Sequence, residues 1–593
     1  MMSRLVLVSF LLLSGFWLGA QIRQNNIPDQ KWWDALPQTA KDSINKLLLQ
    51  EFEQARKEAQ TMDEILANQI LDDALKNAAT TTEITFTSFP KALLRQDLEK
   101  LRNLESFSCI KCRQLDLNAL MEQLSKFPKL KKLSLEGGTF RVLPNTIQKL
   151  GTLEELYLKD NNFTTLPDSL VLLKNLRVLH LEHNAYLYDE DVYERLKGMN
   201  VTTLNFSASG LLELNNKIGE VQSLRHLDLS VNDIRVLPAS FSQLSGLEEL
   251  SLSQNLNLDM PAVARSISGF GKLTALHLQQ CDLLALPVEL GNLKSLQVLN
   301  LKGNKLTVLP LTIGQLSNLE QLDLGYFEMG TRMNKISDLT PSFTQLKKLK
   351  SLNLAGNMLT ALPDGFSALS SLENLNLSLN KLTAIPDAVS ALSQLQTLDL
   401  SLNEINSVPA AIGNLQKLQV LNLTGNFFSK PDKKIKSLPQ EICSLQNLQQ
   451  LLLKDHVLES LPECIGNLKQ LQKLDLRNNL IGTLPVGFTQ LKSLQWLDLK
   501  ANDFQSLPVG FENLSQLQEL NLSMNLKWNF SAEQNTLKKM TQLQFLDVSY
   551  NNIAKDSVEP LREALPNCKV INWDYSKRTL PQPSQMRNGP DRR

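Results

Sequence analysis

Cysteine is scarce in this 593-residue chain, with six in all, too few for a disulfide-built scaffold of this length. An excess of either charge is missing as well. Lys plus Arg and Asp plus Glu both number 61, so no net field holds a polyanion, and nucleic acid is not an expected partner. Beyond residue 20 no apolar run is long enough to cross a bilayer. Glycine-rich phosphate loops, H-E-x-x-H zinc helices and G-x-S-x-G elbows are all missing, so the chain is not expected to be an enzyme or to hold a cofactor. Histidine is rare too, and four of the five (His180, His183, His226 and His277) fall in one region. His180 and His277 share a strand-face column but stand about 19 Å apart at ~4.8 Å per strand, too far for one ion, so no metal site is expected.

The first twenty residues, MMSRLVLVSFLLLSGFWLGA, set Arg4 before an apolar run from Leu5 to Leu18 and end on small Gly19 and Ala20. That pattern predicts a signal peptide over 1–20 with cleavage before Gln21, a retained anchor being the alternative. The mature chain is then expected to be secreted or extracytoplasmic, in a periplasm or at a cell surface, with no stable membrane span.

The rest of the chain is dominated by a repeat. L-x-x-L-x-L-x-x-N recurs in eighteen main copies starting from Leu130 to Leu543, most of them 23 residues apart, and a weaker copy starts at Leu104. Leucines alternating with polar residues, as Leu299 and Leu301 do around Asn300, predict a short strand with one buried face. Thirteen copies place Asn at the turn after the strand, from Asn161 to Asn551; the aligned exceptions are Gly138, Ser209, Cys281, Phe327 and His456. A buried amide there can bond backbone groups that a non-helical turn leaves unpaired. Leu-Pro follows, as at Leu309-Pro310, with the proline expected as first residue of a short helical or 3-10 return. One such coil cannot bury enough apolar surface to stand alone, so stacking is required and the fold class is an α/β solenoid. Cys443 and Cys464 lie on successive copies and Cys109 and Cys112 form a C-x-x-C; each pair is either bridged or simply buried.

The frame LPxxIGNLxxLQxLxLxxNxL resembles the 23-residue class of the leucine-rich repeat superfamily, found in Ras-pathway scaffolds, plant intracellular Ras-group proteins and bacterial surface proteins, over about residues 80 to 573. The resemblance implies a leucine-rich-repeat horseshoe with a parallel β-sheet on the concave face and short helical or 3-10 segments on the convex face. It also implies a surface that binds other macromolecules.

Outside the repeats, helical spacing of Ile44, Leu47, Leu48 and Phe52, then of Ile65, Leu66, Ile70 and Leu71 after a capping box at Thr61, predicts an N-terminal helical cap over 21–79. Repeats, about 19–20 with the weak copies, fill 80–553; a C-terminal cap with Cys568 buried is expected over 554–573 and a disordered tail over 574–593.

Aromatic residues are few, and those on the strand face stand out. Trp496 and Phe545 share a column two copies apart, Tyr550 lies at the edge of the last strand, and Arg477 is nearby; together they make one candidate binding patch. Asp498 and Lys500, and Asp475 and Arg477, point to the same side of neighbouring strands. Two copies carry seven extra residues just beyond the strand, one after Asn426 and one in the copy at Leu319, within GYFEMGTRMNKISDLTPSF. One insertion brings Tyr326 and Phe327, the other Lys433 and Lys434, and they are expected to bracket a partner over the copies at Leu349, Leu372 and Leu395. The loop AYLYDEDVYERL after Asn184, with Tyr186, Tyr188 and Tyr193, is a further candidate that would project from the rim. The expected function is that of a non-catalytic exported binding module for a protein partner, less readily a glycan. The alternatives are a structural or adhesive spacer, or a signalling scaffold if the leader is not cleaved.

Overall fold

A computed structural model describes residues 65–87, 96–113, 115–187, 190–326, 333–425 and 429–573. The leader, the helices expected before residue 65, the tail from Asp574, and Tyr188, Phe327 and Asn426 lie outside the described residues. The chain divides into two compact units, 1–205 and 206–593.

In the first unit six strands, β1 (Glu83–Phe86) to β6 (Thr203–Asn205), pair in parallel, each with its successor. The start of this stack is covered by helical residues 65–76, with Ala67, Leu71 and Ala74 buried; Ile65 and Leu66, expected on the inward face, are about half exposed. In the second unit fifteen strands, β7 (His226–Asp228) to β21 (Lys569–Ile571), are joined the same way. Most strands are three residues long with only the middle one buried, so each coil contributes one leucine to the sheet's inner face and the next to the core behind the turn. Leu299, Leu301, Leu322 and Leu324 are all at most 2% exposed. Behind them phenylalanines of successive returns stack, Phe343 on Phe366 at 6.5 Å and Phe488 on Phe511 at 6.3 Å between ring centroids.

The repeat interval selects the return. Where copies are 23 residues apart the chain comes back through a 3-10 segment such as Leu311–Gln315, with a short α-helical turn, Asp387–Ser390, as an exception. Where the interval stretches to 25 or 26 residues and Leu-Pro is missing, the return is an α-helix: Leu117–Leu124, Glu190–Lys197, Met260–Ile267 and Phe530–Lys538. Three of these helices start on a side-chain cap, from Asp116, Asp259 and Asn529. Proline is placed differently from expectation. Pro310 and its equivalents sit one residue before the helical turn, in extended backbone, where the ring's fixed φ is equally at home. The proline carbonyl then accepts the first return bond, as from the Ile313 N–H at 3.0 Å.

Two further expectations are corrected. Residues 190–197 are a return helix with Tyr193 buried, so the Tyr-rich stretch after Asn184 does not project as a loop there; of its described tyrosines Tyr186 is exposed. Cys568 is half-exposed, because it precedes the final strand and not its buried middle residue. Both cysteine pairs that the sequence left open, Cys109–Cys112 and Cys443–Cys464, are disulfide-bonded.

Candidate binding face

Two columns of polar side chains follow one another along the coils, and each has a separate physical task. The innermost is the asparagine ladder. Asn357 donates from Nδ2 to the carbonyls of Leu354 and Leu324, both at 3.0 Å, and its Oδ1 accepts from the Ile336 N–H at 3.1 Å. Two of those three partners belong to the preceding coil, so each amide ties one coil to the one before it. The residue ahead of the ladder position adopts left-handed backbone in copy after copy: Val231, Gln254, Gly303, Gly356, Leu402, Asn478, Ala501, Met524 and Tyr550 all have φ between 54° and 69°. Such a conformation costs an L residue about 1–2 kcal/mol, and the ladder bonds are what hold it.

Substitutes in the ladder show what the position requires. Cys281 reaches the Leu252 carbonyl at 3.2 Å through its thiol. His456, 5% exposed, bonds the Leu423 carbonyl at 2.5 Å through Nε2 and accepts the Ile435 N–H at 3.2 Å on Nδ1. A neutral imidazole with its proton on Nε2 thus copies the amide, and burial holds its pKa below the usual histidine value. The alignment position of Phe327 proves misleading. Asn334 fills the ladder in that copy, 1% exposed, donating to Leu301 and Leu324 carbonyls and accepting from the Leu306 N–H at 2.9 Å. The seven extra residues therefore enter between strand and ladder, ahead of the asparagine.

The second column is the outward Asn/Asp after each strand leucine. Its side chain caps the backbone N–H two residues on: Asp323 to Gly325, Asn353 to Ala355, Asn376 to Ser378, Asp399 to Ser401, Asn422 to Thr424 and Asn521 to Ser523, at 2.8 to 3.1 Å. The prevalence of Asn and Asp there follows from the strand ending, which leaves that N–H without a ladder partner.

Long side chains on the outer face mark two stretches. In the first unit Tyr157 stacks on His180 at 4.6 Å, and Lys132 lies over the tyrosine ring at 4.5 Å. The Tyr157 hydroxyl donates to Glu155 at 3.0 Å, and burial together with that carboxylate pushes its pKa up to about 12. Both residues are visible in the sequence column, yet only register brings the rings together, Tyr157 opposite His180 on paired strands. In the second unit Trp496, in β18 (Trp496–Asp498), has the Lys473 ammonium 4.8 Å and the Arg477 guanidinium 5.8 Å from its ring. Arg477 forks onto Asp475 at 2.9 and 2.5 Å and lies 3.5 Å from Asp498. The Lys500 ammonium does not pair with Asp498; its backbone N–H does, at 2.9 Å. Burial, with Asp475 close by, outweighs Arg477 and pushes the Asp498 carboxyl up to about 6.

Phe545 lies in the Trp496 column, separated from it by Glu519, and both rings are half-buried. Tyr550 is set apart. It occupies a left-handed turn and lines a cavity of about 240 Å³ with Met524, Leu526 and Trp573 at the end of the stack. Of the two insertions, Tyr326 lies across the turn of the next coil, where a methyl built on Gly356 would come within 2.7 Å of its Cβ. Lys433 reaches back to form an ion pair with Glu404 of the preceding coil, and Lys434 beside it is half-exposed. Both insertions lean toward the copies that lie between them.

No helix among the described residues is long and apolar enough to cross a membrane. A leucine-rich repeat region model matches residues 439–573, a leucine rich repeat model matches 128–185, 271–326, 332–382 and 370–428, and another matches 223–244; together they take in more than half of the chain. No curated protein sequence matches. Among solved structures, a leucine-rich repeat protein of Leptospira interrogans is 27% identical over 84% of this chain and 98% of that one, with a TM-score of 0.45. TLR13, solved in complex with ssRNA13, is 22% identical over 80% and 78% of the two chains at a TM-score of 0.54. Toll of Drosophila, solved with Spatzle, is 20% identical over 83% and 61% at 0.53. The eighteen-fold leucine frame, the asparagine ladder, the parallel strands and the family models agree: the chain belongs to the leucine-rich repeat family.

Proposed function

We propose that this chain is a non-catalytic, exported binding protein that takes a protein partner on its strand face, between the two insertions of the second unit. The observation carrying the reading is the opposed lean of the insertions, Tyr326 forward onto Gly356 and Lys433 back onto Glu404. Between them the outer columns hold only short side chains: Ser351, Asn353 and Ala355, then Asn374, Asn376 and Ser378, then Thr397, Asp399 and Ser401. Such a trough lets a partner's backbone and side chains approach the sheet closely, with an aromatic anchor at one end and lysines at the other. Equal numbers of acidic and basic residues favour protein over nucleic acid, and a glycan is the lesser choice. Export is favoured by the leader-like N-terminus and by two disulfides, which persist in oxidising compartments.

The test is crosslinking and pull-down of the mature protein from its own envelope or medium, followed by affinity measurement with both insertions shortened to the 23-residue frame. The expected result is a specific partner whose affinity drops at least tenfold in the shortened variant while the repeats stay folded. Unchanged affinity defeats the bracket.

A further inference from the structure

A second place on the same unit presents a different chemistry. In β18, β19 (Glu519–Asn521) and β20 (Phe545–Asp547), Trp496, Glu519 and Phe545 stand opposite one another in register on adjacent parallel strands. Strands are spaced ~4.8 Å, so the two aromatic side chains rise about 10 Å apart with the carboxylate between them. Glu519 is exposed, and among the described residues its carboxylate has no ion pair or side-chain hydrogen bond. Trp496 already takes cations on its β17 (Lys473–Asp475) side, from Lys473 and Arg477, while its other side faces Glu519. The short neighbours Asn521, Ser523 and Ser549 leave the approach from above open.

We infer that Trp496, Glu519 and Phe545 form a slot for an arginine side chain of a protein partner. Two flanking aromatic faces and one unengaged carboxylate call for a flat cation that carries paired N–H donors on one edge. A guanidinium meets both demands: its edge forks onto the carboxylate while its faces lie against the rings. Lysine offers only a point charge, and a quaternary ammonium has no N–H to give to Glu519. This rests on reading the chain as a protein-binding module, but it lies four strands beyond the bracketed trough and is tested separately from it.

The experiment uses the full mature chain and a phage-displayed random heptapeptide library, with selected peptides then synthesised. Selected peptides are expected to share one arginine. Its replacement by citrulline, and separately Glu519→Gln, should each weaken binding about tenfold to a hundredfold, the usual worth of a charge-assisted bond. Trp496→Ala with Phe545→Ala should do the same, with urea midpoints near that of the parent because all three positions are outward-facing. Absence of arginine enrichment, equal binding by Glu519→Gln, or displacement of the peptides by choline but not by arginine amide overturns the slot. Shortening both insertions is expected to leave these peptides bound. Loss of binding in that variant, with Glu519→Gln still binding, also overturns the slot while leaving the trough reading standing.

Discussion

Two stretches of one sheet in the second unit share their interior and differ in everything they show outside. From Ser351 to Ser401 the outer columns are short and polar, and most of their hydrogen-bonding capacity is turned inward to cap their own strand ends. From Lys473 to Phe545 the same columns carry Lys, Trp, Arg, Asp, Glu and Phe, with ion pairs and ring contacts that run from strand to strand. Yet Leu352, Leu375, Leu474 and Leu497 beneath them are equally buried, and Asn357 and Asn502 bond the same three kinds of backbone group. A coil whose stability is held inside is free to vary outside, which is why one scaffold can carry both the proposed trough and the proposed slot.

The strongest challenge to that separation is to cut the ladder in each stretch. Asn357→Ala and Asn502→Ala should cost the same, about 3 kcal/mol each, because each leaves buried carbonyls and an N–H unpaired. By contrast Asn376→Ala, which frees a single N–H at the strand end, should cost about 1 kcal/mol. Urea unfolding reads all three, and unequal ladder costs would mean that the outer decoration carries stability after all. Next in size is Gly356→Ala, expected to lose about 1–2 kcal/mol, since Gly356 has φ +69° and an added methyl meets Tyr326. The same change should also reduce partner affinity by displacing the ring.

Acid sharpens the comparison further, because two buried groups two coils apart respond with opposite sign. His456 is held neutral below its ordinary pKa, so the unfolded chain takes up the proton first. Stability falls as pH drops from about 6.5 toward the depressed folded value. Asp498 is pushed up to about 6, so its contribution is present at low pH and is lost as pH rises through about 6. His456→Asn should therefore make the protein less acid-sensitive between pH 6.5 and 5, and Asp498→Asn should make it more acid-sensitive, as read by urea midpoints at fixed ionic strength. The smallest effect is expected at Val231. Val231→Gly should stabilise by about 0.5 kcal/mol, the relief of a β-branched residue at φ +57° less the added freedom of glycine in the unfolded chain.

The interior was legible because leucine at fixed spacing has one physical meaning, and Leu299 and Leu301 fell where period two puts them. Position 327 was misread because alignment assumes that an insertion follows the conserved turn, whereas Asn334 shows that the ladder amide travels to the far side of the extra residues. Tyr157 and His180 were each in view, but their stacking depends on register between two coils, which no single repeat encodes. Likewise the task of the outward Asn/Asp column, capping the N–H two residues on, depends on strand ends that only the structure defines. The 25- and 26-residue intervals did hold a signal for α-helical returns, in the added length and in Asp259 and Asn529 at the caps.

Because the described ladder amides reach back to the coil before them, the second unit has a mechanical grain. Pulled from its C-terminal end with the Cys443–Cys464 disulfide reduced, it should peel one turn at a time, each 23-residue copy freeing about 80 Å at ~3.5 Å per residue. The two 30-residue copies would release about 105 Å instead, so an extension trace would show where along the molecule the peeling front has arrived.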